Sequence, residues 1–231
     1  MLISPDRLGI AWLHLFAVSD PHSLPDAWDA LWTEAKRLLT GMHLSSVWVM
    51  TTQEWLIRLL FQSEFSEHGR VIAFGRPASR AHPGGREAAA LAPMTAADLT
   101  GVKRLDHAAF QPPWRMDSDA LRATFDRSLL AFIHRSEDRL TGYLMAAAAP
   151  QGIHITRIAV HPELQRRGVG RALLVRLLNE SCILGARRIT VNTQIENQSS
   201  RRLYRAMEFS ETGETYPVFR GGLHSINPRS R

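Results

Sequence analysis

The sequence predicts a layered α/β protein made of a complete domain over residues 88–221 and a smaller βαβαβ domain over residues 1–75. Strand-length apolar runs alternate along the chain with segments whose apolar residues recur every three to four positions. Between the two parts, RPASRAHPGGRE at 76–87 holds two prolines and two glycines without an apolar period, which marks a linker. Formal charge divides at the same place: residues 1–87 hold 8 Lys+Arg against 9 Asp+Glu, and residues 88–231 hold 20 against 13.

In the first part, IAWLHLFAV from Ile10 is apolar and of strand length, and Trp28, Leu31, Trp32, Ala35, Leu38 and Leu39 follow at helical spacing. SSVWVMT is the next strand, EWLIRLLFQSEF an amphipathic helix and RVIAF the last strand. After the linker, AAALAPMT is a candidate strand. TAADLTGVKRLDHAAF and SDALRATFDRS are candidate helices, separated by the turn-rich QPPWRMD. SLLAFIHR and RLTGYLMAAAA make a hairpin around Glu137 and Asp138, and IHITRIAV is a strand. The helix from Gly168 to Leu184 places Val169, Ala172, Leu173 and Leu177 on one face. RITVNTQ, SSRRLYRAMEF and GETYPVFR then read as strand, helix and strand, leaving residues 222–231 as a C-terminal tail.

The two parts repeat one another. Phe16 onward aligns without a gap on Ile158 onward through Thr52, and two extra residues in the second copy bring FSEHG at Phe65 onto FSETG at Phe209. The first part therefore copies the second half of the second part.

Composition narrows the classes of function. With 45% hydrophobic and 22% charged residues the chain is globular, and Cys182, the single cysteine, has no partner for an intrachain disulfide. No apolar run is long enough to cross a bilayer, and Met1 to Ala11 carries acid and proline where a signal peptide is basic and then apolar. A cytoplasmic protein without a membrane partner is expected. The net charge of +6 invites a nucleic-acid partner, but the excess is confined to the second part and no nucleic-acid motif accompanies it. The ten histidines are scattered without ligand spacing, so no metal is expected.

Gln165, Arg166, Arg167, Gly168, Val169, Gly170 and Arg171 lie between a strand and a helix. Two glycines let backbone approach a ligand, the N–H groups at a helix N-terminus hold an anion, and flanking arginines add charge-assisted hydrogen bonds to phosphate. Alone, such a string also marks an ordinary turn into a helix. Its context, with ITRIAVHPELQ before it and a strand ending near Asn192 after the helix, makes it specific. Neither the Rossmann nor the Walker pattern fits.

With RIAVHPELQ, QRRGVG and VNTQIENQSSRRLYRAMEF at their spacings, the segment 88–220 resembles the GNAT superfamily of acyl-CoA dependent N-acetyltransferases, although Glu208 stands where glycine is usual. The resemblance implies a mixed, mostly antiparallel sheet flanked by helices, and acetyl-CoA held in a V between two parting strands. Ile158, Ala159 and Val160 would pair with pantetheine, residues from Gln165 to Ala172 would cradle the pyrophosphate, and Asn192, Asn197, Ser199 and Tyr204 would complete the cofactor site. Ten arginines between Arg157 and Arg205 would surround its phosphates, about half of them, such as Arg176, Arg187 and Arg188, belonging to a solvated face.

Direct transfer to an amine needs a base, a polarised carbonyl and a proton for the departing thiolate. His154 is the candidate base, six residues before Val160 where family members place a catalytic Glu or His; the same residue also suits a half-buried strand position. Glu196 and Glu163 are alternatives. Tyr204 is the candidate acid, the Val160 N–H the carbonyl donor, and Arg205 is expected at phosphate or solvent. LDHAAFQPPWRMD resembles the acceptor-side segment of the ribosomal-protein alanine N-acetyltransferases, but Asn192 stands where those enzymes carry glutamate. The acceptor is a peptide N-terminus, a small amine or an amino-acid-like metabolite. A CoA-binding sensor or interaction module without catalysis is the competing reading.

In the repeat, Trp12 replaces His154, SLPDAW replaces QRRGVG, and Phe61 lies opposite Tyr204, so the first part reads as a silent half-domain without a phosphate loop. Five of the six tryptophans fall between Trp12 and Trp55, giving an apolar surface for the second domain or for a homodimer.

Overall fold

The computed structural model describes residues 1–19, 23–78, 90–137 and 139–223. The remainder of the expected linker, Asp138 at the hairpin and residues 224–231 of the expected tail lie outside the described residues.

Two compact units form. The first comprises Met1–Val71 and the chain from Thr215 onward, the second Ile72–Glu214. Unit 1 contains β1 (Leu2–Pro5), β2 (Ile10–Leu15), α1 (Leu24–Gly41), β3 (Ser46–Met50) and α2 (Glu54–Gln62). It also holds the start of β4 (Ser66–Pro77) and the end of β10 (Ser210–Gly222). β2 and β3 run parallel, while β1 and β10 flank them antiparallel. Strand β1 was not expected; an Asp6 turn makes it, with Asp6 Oδ1 accepting from the N–H groups of Leu8 and Ile10 at 2.8 and 3.0 Å.

Unit 2 holds β5 (Leu91–Pro93), a 3-10 turn (Ala96–Asp98), α3 (Leu99–Ala109), α4 (Ser118–Asp126), β6 (Leu130–Ser136) and β7 (Arg139–Ala149). β8 (Gly152–Val160), α5 (Val169–Ile183), β9 (Arg188–Gln194) and α6 (Gln198–Ala206) follow. Its strands are ordered β4-β9-β8-β7-β6-β5, with antiparallel pairs from β5 to β8 and a parallel pair of β8 with β9. The sheet is mixed and mostly antiparallel, as expected. One face carries Ile153, Ile155, Ile189 and Val191 against Leu173, Leu174, Leu177 and Leu178 of α5, and the other carries Tyr143, Met145 and Ala159 against Val102 and Leu105 of α3. The capped starts of the helices match their sequences: Asp117 accepts from Ala120 N before α4, and Asn197 from Ser200 N before α6.

The unit boundaries correct the expected ones at 75 and 221. The chain passes between units inside β4 and again inside β10, and Arg76 and Pro77 are strand, not linker. Arg76 is only 4% exposed; its Nη1 donates to Met207 O at 2.5 Å and its Nε to Pro77 O at 3.2 Å. Those carbonyls, with the Glu208 carboxylate 3.4 Å from Nη2, satisfy a charge whose position beside Pro77 resembled a linker.

The units share local hydrogen-bond patterns. Ile10↔Ser46 through Leu13↔Val49 in β2/β3 matches Gly152↔Arg188 through Ile155↔Val191 in β8/β9, with the same offset on both strands. Leu44 N to Leu39 O corresponds to Ala186 N to Ser181 O, and Phe65 N to Leu60 O corresponds to Phe209 N to Tyr204 O. Left-handed His43 and Glu64 correspond to Gly185 and Glu208. Leu60, rather than Phe61, is thus the counterpart of Tyr204.

Candidate active site

The parallel pairing of β8 with β9 ends at Ile155↔Val191. Beyond it β8 continues to Val160 alongside β7 only, so the sheet opens on the β9 side. His161 N donates to Thr141 O of β7 at 2.9 Å. Because successive backbone groups of a strand point to opposite edges, Val160 and Ile158 direct theirs into that opening. Gln165 Nε2 accordingly donates to Val160 O at 3.3 Å.

A cleft of about 430 Å³ occupies this place. Ile158, Ala159 and Val160 form one wall, Gln165, Arg166, Gly168, Gly170 and Arg171 the second, and Asn197, Ser199, Ser200, Arg202, Leu203 and Tyr204 the third; Ala109 and Phe110 close an edge. Two left-handed residues, Arg166 (φ 63°) and Gly168 (φ 93°), turn the chain into α5. Val169, Gly170 and Arg171 open that helix, so their N–H groups have no carbonyl one turn behind them and make the end an anion site. A Cβ on Gly170 would lie 3.0 Å from Leu203 Cδ2 and 3.6 Å from Val160 Cγ2. Glycine therefore keeps the floor of the cleft open.

Tyr204 lies on α6 with its ring between Phe74 and Phe209, at centroid distances of 5.6 and 5.9 Å. Burial pushes its phenol well above the ordinary tyrosine value, and a hydrogen bond from Ser200 works weakly the other way. The hydroxyl keeps its proton across the physiological range. A phenol that accepts from Ser200 can still donate its own proton.

His154 does not line the cleft. Thr156 forms a bulge, because Met145 pairs with Arg157 while Ala146 pairs with Ile155. Ile153 and Ile155 face the α5 core before it, and Ile158 and Val160 pack toward that core after it. His154 shares the opposite face with Thr190, whose Oγ1 lies 2.8 Å from His154 Nδ1. Burial lowers the imidazole pKa, so the ring is neutral at physiological pH. Asn192 lies one residue beyond the last β8/β9 pair and is exposed. It is absent from the cleft walls, as are Arg167, Val169 and Ala172; the last two point into the core.

The acetyltransferase (GNAT) family profile matches residues 99–209, which span all three walls. This segment is a GNAT-family acetyltransferase domain. A [Ribosomal protein bS18]-alanine N-acetyltransferase of Salmonella typhimurium is 24% identical over 136 residues, 58% of this chain and 90% of that protein. A GCN5-related N-acetyltransferase from Sphaerobacter thermophilus has the same fold, with a TM-score of 0.68 and 14% identity over 96% of this chain and 76% of its own. A tandem GNAT protein from the clavulanic acid biosynthesis pathway is also similar in fold, with a TM-score of 0.62 and 13% identity over 95% of this chain and 77% of its own.

Only some of the arginines of the GNAT domain reach the cleft. Arg166, Arg171 and Arg202 line it. Arg205 lies on the solvent-exposed side, one of its two expected places, where its Nη2 donates to Glu211 at 2.6 Å; Arg201 reaches the same carboxylate at 3.3 Å. Arg176 pairs with Glu180 and Arg157 with the fully buried Asp106. Arg202 belongs to the arginine cluster expected at the phosphates, whereas Ser200 and Leu203 were not expected in the cleft; the helical spacing of SSRRLY beside Asn197 was the available signal. Ala109 and Phe110 belong to LDHAAFQPPWRMD, the segment whose resemblance set it on the acceptor side, and the end of α3 brings them to the edge of the cleft.

Proposed function

We propose that the GNAT domain transfers an acetyl group from acetyl-CoA to a primary amine, either a peptide N-terminus or a small-molecule amine, by direct attack in a ternary complex. The supporting observation is the opening of β8 from β9 beside a helix N-terminus whose glycines, Gly168 and Gly170, leave room for a phosphate-bearing chain. When bound, acetyl-CoA supplies an electrophilic thioester carbon and a thiolate leaving group.

The chain's residues then divide the work. N–H groups of Val169, Gly170 and Arg171, with Arg166, Arg171 and Arg202, hold the pyrophosphate. Ile158 and Val160 pair with the pantetheine amides, Asn197 and Ser199 contact its far end, and the Val160 N–H donates to the carbonyl oxygen as it gains charge. We assign the base to His154, whose Nδ1 lies 2.8 Å from Thr190 Oγ1: it stands off the cleft walls on the α3 face of the sheet and takes the amine proton through a chain of waters from that side. The amine nitrogen forms its bond to the acyl carbon while the carbon–sulfur bond breaks, and the Tyr204 O–H supplies the proton that the sulfur takes. Thiol release from acetyl-CoA with a panel of amines, including a peptide with N-terminal alanine, tests this reading. Release with at least one amine is expected; acetyl-CoA binding without turnover on any amine would replace it with a non-catalytic CoA sensor.

Unit 1 is read as a degenerate copy that carries no cofactor, in a cytoplasmic protein. In the shared register Trp28 takes the place of Gly170, Trp55 of Ser199, Leu60 of Tyr204 and Trp12 of His154. Phe16, Trp28 and Trp55 pack ring against ring where the cleft would open, with centroids at 5.2 and 5.9 Å from Phe16. Calorimetry should find one acetyl-CoA per chain; two sites would refute this assignment.

A further inference from the structure

Behind the edge of the cleft lies a cluster that none of the roles above uses. Asp106 of α3 is fully buried. Its Oδ2 accepts from Tyr143 OH at 2.5 Å and from Arg157 Nε at 2.8 Å, and its Oδ1 accepts from Met116 N at 3.0 Å. Arg157 Nη2 donates to Trp114 O at 2.5 Å, and the guanidinium lies 3.6 Å from the centroid of the Phe110 ring. Arg115 Nε closes the loop on itself through Phe110 O at 2.8 Å. The segment from Phe110 to Met116 is thereby tied to β8 at Phe110, Trp114 and Met116 through one carboxylate and one guanidinium.

A buried ion pair is a poor source of net stability, since desolvation offsets most of its attraction. This one instead fixes geometry. Arg157 immediately precedes Ile158, whose backbone faces the opening, and it stacks on Phe110, which lines the same cleft. The planar fork holds strand and loop at a set spacing that a flexible ammonium would not define.

We propose that Arg157 is a positioning residue for the amine acceptor: through Phe110 and Trp114 it sets the aperture between β8 and the 110–116 loop by which the amine reaches the acyl carbon. The proposal rests on the amine-transfer reading of the cleft. It predicts an effect on the acceptor that is separate from the cofactor, because Arg157 lies on the α3 face while the anion site lies at the start of α5.

The test uses the full chain with acetyl-CoA and a hexapeptide with N-terminal alanine as probe. Arg157→Met should raise the acceptor KM by about tenfold or more, through lost orientation. Its kcat should stay within about threefold and its acetyl-CoA Kd within about twofold. Arg157→Lys should recover only part of the KM, as expected when charge returns without the fork. Should Arg157→Met fold poorly around the unpaired Asp106, the Asp106→Leu/Arg157→Met double variant removes both charges and should show the same KM rise. Hydrogen exchange should quicken across residues 110–117 in each variant with an altered KM. Faster exchange with an unchanged acceptor KM, or equal losses in kcat and kcat/KM, would overturn the proposal by reducing the cluster to support or to chemistry. If the native chain turns over no amine, the amine-transfer reading fails by itself; unchanged exchange at 110–117 in the double variant would then overturn the tether.

Discussion

Replacing Tyr204 by Phe removes one oxygen and leaves the ring where Phe74 and Phe209 hold it, so its structural and chemical costs can be separated. The lost hydrogen bond with Ser200 is worth about 0.5–1.5 kcal/mol, which for a chain of this size lowers Tm by roughly 1–6 °C. Loss of a positioned proton donor costs about 10²–10⁴ in rate, or roughly 3–5.5 kcal/mol of barrier. The chemical term is the larger by a margin that assays resolve. Thiol release followed with a chromogenic disulfide should show kcat falling about 100-fold or more, while calorimetry finds the acetyl-CoA Kd changed by less than about tenfold. Because burial raises the phenol above its usual 10.0, the native enzyme should show no alkaline loss from this group below that pH. A kcat within threefold of native, at intact affinity, would remove Tyr204 from the chemistry and leave it a core residue.

His154 gives a pH signature. Its neutral ring is the active form and burial lowers its pKa, so kcat/KM should hold at pH 6.5 and fall only on further acidification; an acid limb above 6.5, or one that survives His154→Gln, would refute the base assignment. The same shift makes stability present above the unfolded pKa and lost as pH drops through the folded one, a decline below about pH 6.5 that urea titrations should show reduced in His154→Gln. Gly170→Leu puts a side chain onto Leu203 and Val160 at the cleft floor, and calorimetry should find acetyl-CoA weakened about tenfold or more, as for overpacking of 1–3 kcal/mol. Gly152→Ala should destabilise by about 2–4 kcal/mol in urea, since φ is +146° there and the new Cβ would collide with the Arg188 carbonyl at the first β8/β9 pair.

Among the described residues, periodicity and turn residues located every α-helix and all strands but β1, because apolar spacing is a local property that tertiary packing of an amphipathic chain seldom reverses. That Gly168, Gly170, Asn197, Ser199 and Tyr204 would line one cleft was legible for a related reason: they lie at short spacings within one strand–helix unit. The face on which His154 lies was not legible, because one inserted residue, Thr156, resets the alternation of β8, and nothing in ITRIAV announces a bulge. The arginines were legible as a cluster but not as partners. Asp106 lies 51 positions from Arg157, and a charge count cannot tell a guanidinium committed to such a carboxylate from one facing a ligand. Arg76 failed the same way, its satisfaction resting on a carbonyl 131 positions distant.

The return of β10 to the first unit bears on synthesis. Val218↔Met50 through Gly222↔Ser46 pair the last described strand with β3, and Phe219 and Leu223 complete the core around Trp28 and Trp32. A nascent chain that has emerged only through residue 75 therefore lacks the strand that covers one edge of β3, and must carry that open edge until residues 218–222 have been translated. Unit 1 is begun before unit 2 and completed after it, so removing residues 215–223 would strike the folding of a unit whose other strands lie more than 140 positions earlier.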